Sequence, residues 1–386
     1  KIARDVCARI IRPPATFISP ILLMRKLFII LPLKLSLLFC APSCSAKKVE
    51  TKTEAETEAE AAKVNTETLT KIACGSCFKP NYKTAGNIWP VIASTKPQAF
   101  LFMGDNIYGD THDMDVLRAK YKVLTDLPAY AKFSKEHKII PMWDDHDYGI
   151  NDAGKEYPEK AESQKIFLDT FGFPADHPAR KRGGIYHTHT QGAKGQVTQI
   201  INIDTRYHRS ALDRRKVGRR KKYFPVTDPK ATMLGDEQWA WLEAELKKPA
   251  DLRIIVSSIQ IISSEHPYEK WENIPAERKR FFDLLKKCGT KRVVLLSGDR
   301  HLAEISNLPK KESGLSYDLI EMTSSGLTHA GAPDNANKYR VPGSYVNVVN
   351  FGTLDIDWSN KIPKVTLAIR DRDGKVVSKV ETDFKE

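Results

Sequence analysis

A strand-like apolar run leads directly into three carboxylates around one histidine in the stretch Ile139-Ile140-Pro141-Met142-Trp143-Asp144-Asp145-His146-Asp147. Three other apolar runs also end in side chains of the types that can bind metal ions. They are Lys71-Ile72-Ala73-Cys74-Gly75-Ser76-Cys77, Leu101-Phe102-Met103-Gly104-Asp105-Asn106-Ile107-Tyr108 and Val293-Val294-Leu295-Leu296-Ser297-Gly298-Asp299-Arg300-His301. In open α/β sheets, ligands bind just beyond the carboxyl ends of the strands. We therefore expect the four strand ends to converge on one site.

Strand-like and helical patterns alternate along most of the chain. The strand-like runs lie at 71–73, 99–103, 138–143, 198–203, 252–258 and 292–296, and the helical patterns at 114–125, 161–171, 235–247 and 275–287. Such alternation predicts an α/β architecture. After residue 340 the pattern changes to runs at 345–357, 364–370 and 376–382, with Asp373-Gly374 as a hairpin turn. These runs are interpreted as antiparallel strands of the same domain.

The composition is that of a globular protein. Of 386 residues, 41% are hydrophobic and 28% charged, which excludes a disordered, fibrous or multi-span membrane protein. Six cysteines are too few for a disulfide scaffold. The formal net charge is +13, and much of the excess lies in the basic run 206–222.

The amino-terminal segment has the pattern of a secretory signal peptide. Met24-Arg25-Lys26 is followed by an apolar run at 27–39 and by small residues up to Ala46, and residues 1–23, upstream of this start, contain no methionine. A buried amino-terminal helix is the alternative. Residues 47–67 are interpreted as a charged, disordered tether and 68–386 as one domain. This organisation predicts a secreted, periplasmic or cell-envelope protein, with Cys44 as a candidate lipid anchor.

The clustered ligands suggest a reaction. Crowded carboxylates repel unless a cation neutralises them. Two cations can clamp a phosphoryl group, and one can lower the pKa of a bound water, so that a metal-bound hydroxide attacks phosphorus while a nearby imidazole protonates the leaving oxygen. Thiolate and histidine suit zinc or iron, carboxylates suit calcium, magnesium or manganese, and a thiolate with a phenolate favours ferric iron.

The order of these blocks resembles that of the PhoD-like alkaline phosphatases, a branch of the calcineurin-like metallophosphoesterases. The matching blocks, which span residues 72–302, are Gly75-Ser76-Cys77, Gly104-Asp105-x-x-Tyr108, Trp143–Asp147, Asp204-Thr205-Arg206-Tyr207 and Ser297-Gly298-Asp299-x-His301. The resemblance implies an α/β fold of the αββα type: a two-sheet β-sandwich flanked by helices, with the metal site at the carboxyl ends of the strands. It also implies a phosphoric ester hydrolase that acts on phosphomonoesters, phosphodiesters or both.

The resemblance further implies roles for single residues. A ferric ion would be held by Cys77, Asp105, Tyr108 and His301. A calcium ion would share Asp105 and be completed by Asp145 and Asp299, with zinc or manganese as alternative metals. His146 would donate the proton, and Arg206 would position the phosphate or support the site. Asn106, Asp144 and Asp147 are candidates for supporting the ligands. Asp145 departs from the superfamily pattern Gly-Asn-His, which has asparagine there.

Several residues allow a second interpretation. Cys74 and Cys77 could form a redox pair, or Cys74 could be a buried strand residue or a disulfide partner of Cys288. Tyr108 could be a packed core tyrosine. Of Asp144, Asp145 and Asp147, one or two are expected to cap a helix or support the ligands. His266 and His329 lie in polar loops where substrate groups could be contacted.

The basic run 206–222 is interpreted as a long exposed loop. Its aromatic residues are too sparse for base stacking, so no specific nucleic-acid binding is expected. It could instead attract anionic substrates or an anionic envelope surface. The main functional hypothesis is a secreted, monomeric phosphoesterase. The alternatives are a phospholipase-D-like phosphodiesterase and a non-catalytic metal-binding envelope protein that binds anionic polymers.

Overall fold

The computed structural model describes residues 66–382 and residue 384. The expected signal peptide, the candidate anchor Cys44 and nearly all of the expected tether lie outside the described residues, so these assignments and the boundary at residue 68 stay predictions. Within the described part of the chain, no helix is long and apolar enough to cross a membrane.

The first sheet joins strands from both ends of the described chain. Its parallel half consists of β1 (Lys71–Gly75), β2 (Ala99–Met103) and β3 (Lys138–Met142), and its antiparallel half of β12 (Asn350–Asp357), β13 (Lys364–Asp371) and β14 (Val376–Glu381). The strand order is β14-β13-β12-β1-β2-β3. β12 pairs antiparallel with β1, so the terminal strands are antiparallel, as expected, and they extend the first sheet. The strand expected at 345–357 begins only at Asn350.

The second sheet has a parallel centre and two antiparallel edges. Its strands are β4 (His187–Gln191), β5 (Thr198–Ile203), β8 (Leu252–Ser257), β9 (Val293–Ser297), β10 (Ala303–Leu308) and β11 (Leu319–Ser324), in the order β10-β11-β9-β8-β5-β4. β5, β8, β9 and β11 run parallel to their neighbours in this series. All six residues of β8 are buried, as expected for a parallel strand that is covered on both faces.

Helices flank the pair of sheets. They are α1 (Ile88–Ser94), α2 (Met114–Asp126), α3 (Pro128–Glu136), α4 (Asp145–Tyr148), α5 (Lys160–Thr170), α6 (Gly235–Leu246), α7 (Pro275–Lys287) and α8 (Lys310–Ser313). One apolar cluster unites both sheets with α6 and α7, for example through Leu101, Leu295 and Trp239. A second covers the first sheet with α1, α2, α3 and α5, centred on Trp89 and Phe102. The predicted two-sheet, helix-flanked architecture is confirmed.

Two expectations require correction. Cys74 and Cys288 are both free, so the considered disulfide is wrong, and Cys74 is instead a buried residue of β1. The basic run is not simply an exposed loop. Part of it forms a hairpin of β6 (Asp213–Val217) and β7 (Arg220–Phe224), because Gly218 adopts a φ of +61° that closes the tight turn.

Candidate metal centre

The carboxyl ends of β1, β2, β3 and β9 bring the predicted ligands together. Ligand atoms of Cys77, Asp105 and His301 lie within 4.8 Å of one another. The same holds for a second group, formed by Asp105, Asp144, Asp145 and Asp299. Asp105 belongs to both groups, so the geometry could hold two cations that share this carboxylate. The convergence of strand ends expected from the sequence is present in the fold.

Unusual backbone conformations point these side chains inward. Cys77, Asp105, Asp299 and His301 have φ values of +60°, +51°, +66° and +53°, in the left-handed region that residues other than glycine seldom occupy. Each such residue costs about 1–3 kcal/mol, and such strain is typically found at functional sites. The left-handed residues turn the chain sharply at the end of each strand.

Glycine is needed where two of these turns approach their neighbours. At Gly298, an added Cβ would lie 2.4 Å from Oγ of Ser76, so the ends of β1 and β9 could not come as close. At Gly104, which has a φ of +96°, the added Cβ would lie 2.6 Å from Cβ of Asp144. The glycines of the Gly-Asp pairs therefore permit the close approach of the ligand-bearing strands.

A thiol, a phenol and two imidazoles meet on one side of Asp105. Cys77 Sγ donates to Oδ2 of Asp105 over 3.3 Å, and the hydroxyl of Tyr108 donates to the same oxygen over 3.3 Å. The Tyr108 hydroxyl also lies 3.0 Å from Nε2 of His301 and 3.1 Å from Nε2 of His329. Tyr108 is thus at the site rather than in the apolar core.

Sequence reasoning named His329 only as a loop residue that substrate groups could contact, and did not place it among the candidate metal ligands. This histidine follows β11, which is the neighbour of β9 in the second sheet. The rule that functional residues follow parallel strands would have identified it, but β11 was not recognised as a strand. Its apolar pattern is interrupted by Glu321, which is buried and accepts hydrogen bonds from the backbone of Ile261 and Ile262.

The pKa shifts of the candidate ligands reflect their burial and the negative charge that is crowded at this site. Burial and the charge of Cys77 hold the pKa of Asp105 well above its usual range. Burial, followed by repulsion from Asp145, raises the pKa of Asp299 to about 7. Burial raises the pKa of the Cys77 thiol to about 11. Burial also lowers the pKa of His301 to about 4, which leaves a neutral ring of the kind that binds metals.

These residues therefore fit bound cations. Oδ1 of Asp105 and Oδ2 of Asp144 are buried and have no hydrogen-bond partner among the described residues. Buried carboxylate oxygens normally have partners, and a cation would supply one. Thiolate, phenolate and imidazole on one side and carboxylates on the other form two chemically different donor sets.

A layer of polar residues supports the ligands from beneath. Asp147 accepts hydrogen bonds from the backbone amides of Asp105, Asn106 and Asp144, over 3.2, 3.1 and 2.6 Å. The side-chain amide of Asn106 donates to the backbone carbonyl of Met142 over 2.8 Å. These contacts connect the ends of β2 and β3. Asp147 is in neither ligand group, which fits the expectation that one of the three aspartates supports the ligands.

Arg206 lies in a buried ionic network. Its side chain is fully buried and pairs with Asp144, with Nε 2.6 Å from Oδ1. A terminal nitrogen lies 2.7 Å from Oε2 of Glu269, whose other oxygen is 3.2 Å from Nε of Arg209. Arg206 does not line the cavity in front of the ligands. Of its two expected roles, these contacts favour support of the site over direct contact with phosphate.

His146 lies among the candidate ligands, because one of its ring nitrogens is within 4.8 Å of carboxylate oxygens of Asp105 and Asp145. Its Nδ1 lies 2.7 Å from Oδ1 of Asp110, and its ring packs on that of Tyr108 with centroids 4.1 Å apart. Burial alone would lower the pKa of His146, but the charges of Asp145, Asp105 and Asp110 raise it to about 11. In the chain without bound cations, these carboxylates therefore favour the protonated ring.

An open cavity of about 690 Å³ lies in front of these residues. Asp145, His146, Asp299, Arg300 and His301 contribute to its lining. Other parts of its wall come from the β6–β7 hairpin, the loop at 267–269 and residues 330–333. The cavity is large enough for a phosphoryl group and an attached organic group.

Comparison with known proteins identifies a family and a relative with similar sequences. The family model of the PhoD-like phosphatases matches residues 72–383. Alkaline phosphatase D of Bacillus subtilis (strain 168) is 27% identical over 199 residues, which is 46% of this chain and 34% of that protein. The chain thus spans only about a third of that relative's length.

Two solved structures share the fold. A structure of PhoD matches with a TM-score of 0.61 and 16% identity, over 82% of this chain and 72% of that one. GAP50, described as the anchor in the inner membrane complex of Plasmodium, matches with a TM-score of 0.51 and 13% identity, over 83% of this chain and 90% of that one. Identities this low establish similarity of fold alone.

Proposed function

The chain belongs to the PhoD-like phosphatases, and from this membership we propose that it is a metal-dependent phosphoesterase. The observation that carries the proposal is the pair of ligand groups that share Asp105. His146 lies next to Asp105 and Asp145 and lines the same cavity. Metal-assisted hydrolysis of a phosphoester uses this combination of cation sites and a proton donor.

We propose two cation sites with different donors. Cys77, Asp105, Tyr108 and His301 would hold one cation, for which the thiol and phenol favour ferric iron. Asp105, Asp145 and Asp299 would hold the other, for which an oxygen donor set suits calcium, with zinc or manganese as alternatives. When bound, such cations neutralise the phosphoryl charge and lower the pKa of water.

The remaining steps belong to the chain's own side chains. Asp110 holds Nδ1 of His146, which leaves the other ring nitrogen to deliver a proton to the leaving oxygen. Asp147 and Asn106 keep the ends of β2 and β3 in register beneath the ligands. Arg206 holds Asp144 in place and is itself held by Glu269. Preorganisation of this kind avoids reorganisation during the reaction.

The proposed setting is the cell envelope or the exterior of the cell. It rests on the signal-like segment that starts at Met24 and on Cys44 as a candidate lipid acceptor. The substrate would be a phosphate ester, either a monoester or a diester. A non-catalytic binding protein would have no need of the His146–Asp110 pair.

One experiment tests the proposal. The purified chain is assayed with an aryl phosphomonoester and the matching aryl phosphodiester, beside elemental analysis of the same sample. We expect hydrolysis that is lost on chelation, with about one equivalent of iron and calcium bound. Two zinc ions with activity would retain the phosphoesterase and reject the iron site. A folded chain without metal or turnover would contradict the proposed function.

A further inference from the structure

Arg300 differs from the other buried arginines among the described residues. Those three have polar partners. Arg206 pairs with Asp144 and Glu269, Arg209 pairs with Glu269, and Arg253 donates to Gln199 and to backbone carbonyls. Arg300 is 5% exposed, yet no described carboxylate forms an ion pair with it, and its Nε has no hydrogen-bond partner.

An unpaired buried guanidinium is energetically unfavourable. The two carboxylates that act on Arg300 electrostatically, Asp299 and Glu304, do so without a direct ion pair. Its packing partner is an aromatic ring: the guanidinium carbon lies 4.3 Å from the ring centroid of Tyr268. This cation–π contact positions the group but satisfies none of its N–H donors.

The unsatisfied donors lie beside the candidate metal centre. Arg300 stands between the candidate ligands Asp299 and His301, and all three line the cavity. The left-handed conformations of its two neighbours, together with a 2.8 Å hydrogen bond from its amide to the carbonyl of Gly298, fix the backbone there. Tyr268 lines the same cavity. A guanidinium with free donors in a cleft of this kind is suited to an anion with several oxygens.

We propose that Arg300 binds an unesterified oxygen of the substrate's phosphoryl group and that Tyr268 holds the guanidinium in position. This inference rests on the proposed phosphoesterase function, because the anion it assigns is the substrate's phosphate. It gives the phosphate-binding role to Arg300 rather than to Arg206, whose donors are already engaged by Asp144 and Glu269.

The test measures binding of inorganic phosphate to the metal-loaded protein by calorimetry, beside KM and kcat for an aryl phosphate. Arg300→Gln should raise both the Kd for phosphate and KM by about 10- to 100-fold, the value of one charge-assisted hydrogen bond. Arg300→Lys should restore part of the affinity, because it keeps the charge without the fork of donors. Arg372→Gln, at an exposed position in the turn between β13 and β14, removes the same charge elsewhere and should leave both values unchanged.

Tyr268 provides a second variant pair. Tyr268→Phe keeps the aromatic face and should retain the phosphate affinity of the parent, whereas Tyr268→Ala should weaken it. Metal content and thermal unfolding are measured on every variant. A phosphate Kd within twofold of the parent for Arg300→Gln would overturn the inference. So would a loss of affinity that only follows a loss of bound metal, since Arg300 would then act on the cation sites.

The inference and the proposed function can fail separately. Phosphate binding that depends on Arg300, without hydrolysis of any ester tested, would retain the inference and contradict the enzyme. Hydrolysis with the same KM in the parent and in Arg300→Gln would retain the enzyme and reject the inference.

Discussion

Nδ1 of His146 lies 2.7 Å from Oδ1 of Asp110, and this contact holds the imidazole at the edge of the cavity. Asp110 itself adopts a φ of +44°, so the loop after β2 is bent to present its carboxylate to the ring. The pair resembles a general acid with its orienting carboxylate more than it resembles a surface ion pair.

His146→Ala is expected to lower kcat by about 10²–10⁴-fold, because general acid catalysis contributes on this scale. The loss should grow as the pKa of the leaving alcohol rises, since poor leaving groups need the proton most. A series of substituted aryl phosphates measures this dependence. Asp110→Asn should show a smaller loss with the same trend. Equal losses on good and poor leaving groups would remove His146 from proton transfer.

Asp105→Asn is expected to lower turnover by at least about 10²-fold, the scale for removing an electrostatic stabilising group from an active site. Bound metal should fall at both positions, because Asp105 belongs to both ligand groups. Elemental analysis and activity are measured together. Asp126→Asn, at an exposed residue at the end of α2, is the matched control. Full metal content in Asp105→Asn would contradict the shared-ligand arrangement.

Arg206→Met is expected to lower the free energy of unfolding by about 3–5 kcal/mol, because it leaves the buried Asp144 without its ion-pair partner and Glu269 with Arg209 alone. Urea unfolding followed by circular dichroism measures the change. The exposed pair of Arg118 and Glu162 supplies the control, and Arg118→Met should cost about 1 kcal/mol or less. Similar costs for the two variants would show that the buried network contributes no more than a surface ion pair.

Gly298→Ala is expected to lower the free energy of unfolding by about 1–3 kcal/mol, because the new methyl group would overlap Ser76. Adding Ser76→Gly should recover only part of the loss, because it removes the clash with Ser76 while the methyl group would still lie 2.9 Å from the backbone oxygen of Met103. The control is Gly86→Ala, whose methyl group would meet its nearest neighbour at an ordinary 3.6 Å. Chemical denaturation of the three variants measures these differences in the free energy of unfolding. Lack of recovery in the double variant would show that the clash with Ser76 is not the cause.

His187 is expected to make stability depend on pH. Burial lowers its pKa in the folded chain to about 4 from an ordinary value of 6.5, so the folded state keeps the ring neutral where the unfolded state takes up a proton. The stabilisation is complete above pH 6.5 and is lost as the pH falls towards 4, by about 3 kcal/mol in total. His187→Gln should flatten unfolding free energy against pH in this window. His112→Gln, at an exposed histidine, should leave the slope unchanged.

Much of the fold follows from local pattern. Strands β2 and β5 and helix α7 have the bounds expected from the sequence, because runs of buried apolar residues and helical periodicity are local properties of the chain. Strands β10 and β11 were missed since polar residues such as Glu304 and Glu321 interrupt them. Those side chains are buried and hydrogen-bonded, which only the tertiary structure provides.

The sequence by itself determined which residues can meet at the candidate site. Ligand-type side chains directly follow β1, β2, β3 and β9, and parallel strands deliver their carboxyl ends to one edge. The tertiary structure decided which of them face one another. It set Arg206 under the ligands and Arg300 in the cavity, and it brought His329 to Tyr108 across 221 positions of the chain. Burial and the direction of a side chain depend on contacts between distant segments, and no local pattern encodes them.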